Sequence, residues 1–221
     1  MTWRCGPVGM LSLWKYGCMS YRSRWIVPIA LGAAGVAYVN GRLRPRGDDT
    51  EPLPGDEILP YAEIVETHET VLGVPAPEAW PWLAQMGYGR GGFYSFDVLE
   101  RLAGVGISNA DAINPAWQNL VEGDLVRLAE EVALVVARAE PDRCLVLSSE
   151  GGCAPAEAGM DFDFTWAFVL TPEEPGSCRL TVRERYVPHT PAARRMVWAA
   201  RPVARLMTHG MLHGLRRRVR R

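Results

Sequence analysis

The chain has 221 residues, 48% hydrophobic and 22% charged, with five cysteines and a formal net charge of −1. That length suits one domain with an appendage, and the composition is ordinary for a globular protein. The odd cysteine count, without a CxxC pair or a glycosylation sequon, excludes a zinc ribbon, a redox motif and a disulfide-built secreted scaffold.

The small net charge hides a division along the chain. All 25 acids lie between Asp48 and Glu184, whereas residues 1–47 carry seven basic groups and residues 185–221 carry ten arginines, neither with any acid. Basic ends around an acidic middle either neutralise one another within the molecule or meet anionic phosphate.

Residues 1–24 form a basic leader, and Met19 offers an alternative start that leaves it shorter. Trp25–Val39 is an uncharged, mostly apolar run, and residues 25–43 make an apolar membrane anchor if Asn40, Gly41 and Leu43 join it. A signal-peptide core is the rival reading. No A-x-A cleavage site follows, so an uncleaved single-pass anchor is expected. The basic residues flanking the span are too evenly balanced to set its orientation.

Residues 44–60, rich in Pro, Gly and acid, read as a linker, and the folded domain is placed at 61–221. Glu63–Val74 is strand-like and stops at Pro75 and Pro77, and Pro77 opens a helix through Glu78–Met86. A glycine turn follows, then Ser95 as N-cap of a helix over Phe96–Ala103. Gly104–Asp124 is irregular. Strands are expected at Asp124–Leu128, Val132–Ala139, Arg143–Ser149, Phe162–Leu170 and Cys178–Val187, with Cys144 and Cys178 as small buried hydrophobes. A long helix, about Pro191–Arg217, ends the chain.

This order describes an α+β domain in which an antiparallel sheet must cover its apolar face. Phe162, Phe164, Trp166, Phe168 and Leu170 alternate on one face of their strand. Each contributes roughly 1.5–3 kcal/mol if buried, so that face is covered, and the last helix is the natural cover. At helical spacing Met196, Ala200, Val203, Met207, Met211 and Gly214 fall on one line, the expected sheet-facing stripe.

The runs VPAPEAWPWLAQMGYGRGGFYSFDVLERL, NADAINPAWQNLVEGDLVRL, DFTWAFVL and MLHGLRRR together resemble the START-like (SRPBCC) superfamily, over about Tyr61 to the C-terminus. The likeness is nearest to bacterial members labelled polyketide cyclase/dehydrase or lipid-transport proteins. It implies a helix-grip fold, a curved antiparallel sheet around the long C-terminal helix, with an apolar cavity between them. The superfamily holds carriers, sensors and some enzymes, and supplies no invariant catalytic set to carry over. An empty cavity of ~300 Å³ would cost on the order of 7 kcal/mol, so one that is kept holds ligand or water. The rival is that Met, Trp and Phe fill the space.

Gly87, Gly89 and Gly92 satisfy G-x-G-x-x-G but follow a helix, so they read as a turn and not a dinucleotide site. Arg90 beside that turn could receive an anionic head group. His209 and His213 have metal-ligand spacing, but Gly210 stands where a zincin base belongs and both point away from the Met stripe; no metal or cofactor is expected. His68 lies on the first strand in a register the sequence leaves open. Asp97, Asp111 and Glu184 are the acids expected near the cavity mouth, as candidate general acids or bases. Glu184 shares strand parity with Leu180 and Val182 and so could project inward with a raised pKa, although an ion pair with Arg90 or Arg183 is the favoured alternative.

The tail 216–221 lacks the interleaved aromatics of a nucleic-acid site, and with a nearby anchor it suits acidic lipid on the cytoplasmic side. The expected function is a membrane-anchored binding protein for a hydrophobic or amphipathic small molecule, lipid or polyketide-like. Trp80, Arg90, Phe93, Tyr94, Trp117, Phe164, Trp166, Met207 and Met211 are the candidate ligand contacts. The alternative is a cyclase or dehydratase using the same cavity with a carboxylate acid or base.

Overall fold

A computed structural model describes residues 47–95, 109–153 and 161–220. The order of elements is β1 (Ile64–Leu72), α1 (Ala76–Ala84), β2 (Leu125–Arg127), β3 (Ala133–Glu140), β4 (Cys144–Cys153), β5 (Phe162–Pro172), β6 (Cys178–Pro188) and α2 (Pro191–Arg218). The six strands make one antiparallel sheet in the order β1-β6-β5-β4-β3-β2. Pairing of the first strand with the last closes the long excursion of the chain between them.

Period-2 alternation assigns the two faces of this sheet. On the inner face Phe164, Trp166, Phe168 and Leu170 of β5 oppose Tyr186, Glu184, Val182 and Leu180 of β6. Those β6 residues in turn oppose Ile64, Glu66, His68 and Thr70 of β1. α1 lies against β5, and α2 lies against β1 and β6. α2 starts at Thr190, whose hydroxyl accepts from the Ala193 amide at 3.1 Å, with Pro191 in the first turn. Arg216, Arg217 and Arg218 in its last turn suit the negative end of the helix dipole.

The inner face has two halves. At one end Leu72, Leu170, Leu180, Trp80, Leu83, Met86, Met211, Leu212 and Leu215 close into a dry core. Gly214 lets α2 approach the loop after α1, because a Cβ there would overlap the carbonyl oxygen of Tyr94. At the other end Phe162, Trp166, Tyr186 and Met207 are only half-buried.

The helix turns a different face to the sheet than the sequence suggests. Met196 and Val203 of the expected stripe are exposed. Met211 and Gly214 of that stripe are buried, together with Ala193, Val197, Thr208, Leu212 and Leu215 outside it, and Arg201 and Arg205 are turned onto Glu66. A buried carboxylate on β1 decides this orientation, and apolar periodicity alone does not register it.

Residues 47–60, read above as a linker, lie on the outer face of the sheet. The guanidinium of Arg183 is 1% exposed and donates to Asp56 Oδ2 at 2.6 Å, to the Glu51 and Asp48 carbonyls, and to Thr67 Oγ1 at 2.9 Å. Arg185 donates to the Leu59 carbonyl at 3.0 Å, and Gly55 sits over Val146. The proposed anchor at 25–43 and the helix at 96–103 fall outside the described residues. No helix among the described residues is long and apolar enough to cross a membrane.

Candidate functional site

The half-buried end of the inner face gathers aromatic rings and polar groups in one place. β5 and β6 supply the rings. Phe164 and Tyr186 have centroids 4.7 Å apart, Phe162 and Tyr186 5.7 Å, and Trp166 and Phe168 4.9 Å. Phe93, from the loop after α1, stacks on Trp166 at 5.8 Å. These rings adjoin because strand alternation aims every second residue of β5 and β6 inward and the register sets Trp166 opposite Glu184.

Glu184 is 5% exposed and stands in the middle of this wall, between Trp166 on β5 and Glu66 on β1. Its carboxyl oxygens are bonded to the Tyr186 hydroxyl at 2.7 Å and to Thr208 Oγ1 of α2 at 2.8 Å. Burial pushes the Glu184 carboxyl up from the ordinary range, against the opposing pull of those two hydroxyls. The neighbouring Tyr186 hydroxyl is pushed well up too, by burial and by Glu184.

Glu66 meets the opposite environment. Burial alone would raise it, but His68 and the guanidiniums of Arg205 and Arg201 outweigh that and hold it down to about 2. Arg205 reaches its two oxygens at 2.9 and 3.0 Å, and Arg201 is also bonded to it. His68, 7% exposed, holds Nε2 at 3.7 Å from Glu66 Oε2, outside hydrogen-bond reach. His68 Nε2 and Trp166 Nε1 are buried without a hydrogen-bond partner.

The arrangement therefore offers an apolar aromatic wall, one carboxyl pushed up by burial, one ionised carboxylate and two ring nitrogens without a hydrogen-bond partner among the described residues. Such a surface can hold a flat apolar body and address a polar group on it. Two carboxyls shifted in opposite directions are also the pattern that divides acid and base roles in proton transfer.

Of the candidate contacts, Phe93, Phe164 and Trp166 form the wall, and Met207 is half-buried one position before Thr208. Trp80, Tyr94 and Met211 lie in the closed core, and the Tyr94 hydroxyl donates to the Trp82 carbonyl at 2.9 Å. Trp117 sits in a 3-10 turn, Pro115–Trp117, and its carbonyl accepts from Arg90 at 2.7 Å. Arg90 also donates to the Ala84 carbonyl at 2.9 Å, so its Nη2 ties α1 to that turn. Burial lowers its pKa.

The favoured ion pair of Glu184 is not formed: Arg183 points to the outer face and Arg90 binds carbonyls. Asp111 is 70% exposed and pairs with Arg218 at 3.3 Å. Arg218 is ten residues beyond Thr208 on α2, a rise of about 15 Å, so Asp111 and Glu184 do not meet. Asp97 lies outside the described residues. His209 and His213 are exposed on α2. The sequence reading missed Glu66, Arg201 and Arg205 and left His68 open. The parity of Glu66 and His68 with Ile64 and Leu72 was the available signal.

No protein-family model matches the chain, and none of the curated proteins does. Solved structures similar to it include a protein of Mesorhizobium loti, 16% identical over 70% of this chain and 98% of that one, at a TM-score of 0.42. A polyketide cyclase-like protein of Corynebacterium glutamicum is 14% identical over 69% and 89%, at 0.38. A norcoclaurine synthase point mutant from Thalictrum, in complex with a transition state analogue, is 11% identical over 69% and 93%, at 0.36. At such scores these likenesses carry no functional argument. The class is visible in the coordinates: a six-stranded antiparallel sheet with a long C-terminal helix across its inner face is the helix-grip arrangement. It agrees with the START-like resemblance of the sequence.

Proposed function

We propose that the protein is a binding protein for a hydrophobic or amphipathic small molecule, lipid or polyketide-like, held between the inner face of the sheet and α2. The observation that carries this reading is the state of Trp166. Its ring stands half-buried in a wall of five other aromatic side chains, yet its indole N–H is buried with no acceptor among the described residues. A buried donor left without a partner costs roughly 1–3 kcal/mol, which a bound molecule with a matching atom would restore. Residues 25–43 tether this domain to a membrane, with the basic tail 216–221 against acidic lipid on the cytoplasmic side. That part of the reading rests on the sequence alone.

Native mass spectrometry of the purified full-length protein tests the binding. A mass excess that is released on denaturation, and recovered by organic extraction, is the expected result. Bare protein that also fails to take up a lipophilic fluorophore would overturn it.

A second reading follows from Glu184. Buried, with its carboxyl pushed up beside a Glu66 that is held down, it could protonate a carbonyl or a departing hydroxyl of the same ligand, as a cyclase or dehydratase requires. Conversion of the extracted ligand by fresh protein, lost in Glu184→Gln while uptake persists, would establish this. Conversion at the wild-type rate in that variant would end it.

A further inference from the structure

The polar groups on the inner wall are unequal in kind, and the imbalance says what a ligand must bring. Glu184, Tyr186 and Thr208 are joined by two hydrogen bonds. Each hydroxyl has one proton to give. Both hydroxyls give that proton to Glu184, so neither has one left for a ligand. Trp166 Nε1, a donor only, has no partner among the described residues, and Trp166 and Glu184 are directly opposed across β5 and β6. On the next strand His68 Nε2 has no hydrogen-bond partner among the described residues and stands 3.7 Å from Glu66 Oε2. The two carboxyl groups are already engaged. Glu66 takes Arg201 and Arg205, and the Glu184 oxygens take Tyr186 and Thr208.

Resting on the binding reading above, the geometry points to a ligand with a planar apolar body and a hydrogen-bond-accepting oxygen of the carbonyl class, received by Trp166 Nε1. Stacking on Phe93, Phe164 and Trp166 holds the flat body, since rings with centroids 5.8 and 6.3 Å apart already line one surface. The oxygen then meets a donor that has no partner among the described residues. An apolar edge in the same place leaves that N–H unmatched. Selection here follows from buried polar groups left unmatched by the wrong ligand, a stronger discriminator than one methylene of pocket size.

The test uses two probes of one skeleton, 9-fluorenone and fluorene, titrated into the full-length protein stripped of co-purified ligand. Fluorenone is expected to bind about tenfold more tightly than fluorene. Its carbonyl stretch should move to lower frequency on binding, as hydrogen bonding to the oxygen requires. Trp166→Phe and, separately, Trp166→Leu should each narrow the ratio, because both remove the indole donor. Two variants are used so that failure of one to fold still leaves a result. Equal affinity for both probes, or an unshifted carbonyl band, overturns the inference and leaves the binding reading standing. Failure of either probe to bind at all overturns both.

Discussion

Glu66 and Glu184 face each other across β1 and β6 on the inner side of the sheet, and their surroundings shift the two carboxyls in opposite directions. Cross-strand partners have Cβ atoms about 4.5–5.5 Å apart, too near for two buried carboxylates to ionise cheaply together. The protein resolves this by giving Arg201 and Arg205 to Glu66 and only neutral hydroxyls to Glu184.

The pair gives stability two opposing slopes with pH. Glu66, held to about 2 in the folded state against an ordinary 4.5, contributes stability that is full above 4.5 and lost as pH falls toward 2. Glu184 has the reverse sign. Its folded pKa is raised, so its contribution is full below 4.5 and lost as pH rises through the raised value. Glu184→Gln removes the second slope without changing shape. Melting temperatures across pH 4–8 should therefore diverge, the variant gaining on the wild type as pH rises (a range set by ordinary carboxylate values, roughly 4 upward). Parallel curves would show that Glu184 is ionised throughout.

Removing the ionised member has the larger cost. Glu66→Gln leaves Arg201 and Arg205, 15% and 18% exposed, facing a neutral amide. Breaking a buried pair costs roughly 3–5 kcal/mol, and the partial exposure of the guanidiniums sets this one near the low end, about 3. Urea unfolding at neutral pH measures it. The deficit should shrink below pH 4.5, where the wild-type carboxylate begins to lose its own advantage.

Particular residues show why some of this was legible in the sequence and some was not. Phe162 to Leu170 announced both a strand and its inner face, because large side chains two apart have only one geometry that buries them together. The strand ends followed from Pro, Gly and acid at the turns. The facing of α2 was not legible, because its burial line includes Arg201 and Arg205, which periodicity assigns to solvent. Their partner Glu66 is 135 and 139 residues away in sequence. Arg183 hid in the same way: it alternates with Val182 and Glu184 and reads as a solvated outer residue. Its partners lie in a stretch whose Pro, Gly and acids imitate a linker.

Arg183 supports a third prediction. It is buried on the outer face and bonded to Asp56, to two carbonyls of residues 48–51 and to Thr67. Arg183→Met keeps the length and removes every guanidinium donor, leaving Asp56 with Arg185 at 3.2 Å and the Leu53 amide at 3.0 Å. Amide hydrogen exchange in residues 47–58 should then speed by about tenfold or more, the release expected when hydrogen bonds to a charged group are lost. The inner-face peptides should keep their protection. Unchanged exchange in 47–58 would mean that Gly55 on Val146 and the Arg185 bonds hold this segment by themselves.

Gly214→Ala tests how tightly α2 is seated. In an exposed helix the change would stabilise by about 1 kcal/mol, because alanine is the better helix former. Here the added methyl would overlap the Tyr94 carbonyl oxygen, which is backbone and cannot swing aside as a side chain would. Tyr94 is also held in place, with φ of 57°, its amide donating to Asn109 Oδ1 at 2.6 Å and its hydroxyl to the Trp82 carbonyl. Overpacking at such a contact costs typically 1–3 kcal/mol, so the net effect is destabilising by about 1–2 despite the propensity gain. Thermal unfolding gives the sign directly. A higher melting temperature for the alanine variant would mean that α2 stands further from the loop after α1 than described, and the closed end of the inner face would then be looser than the core residues around Met211 and Leu215 imply.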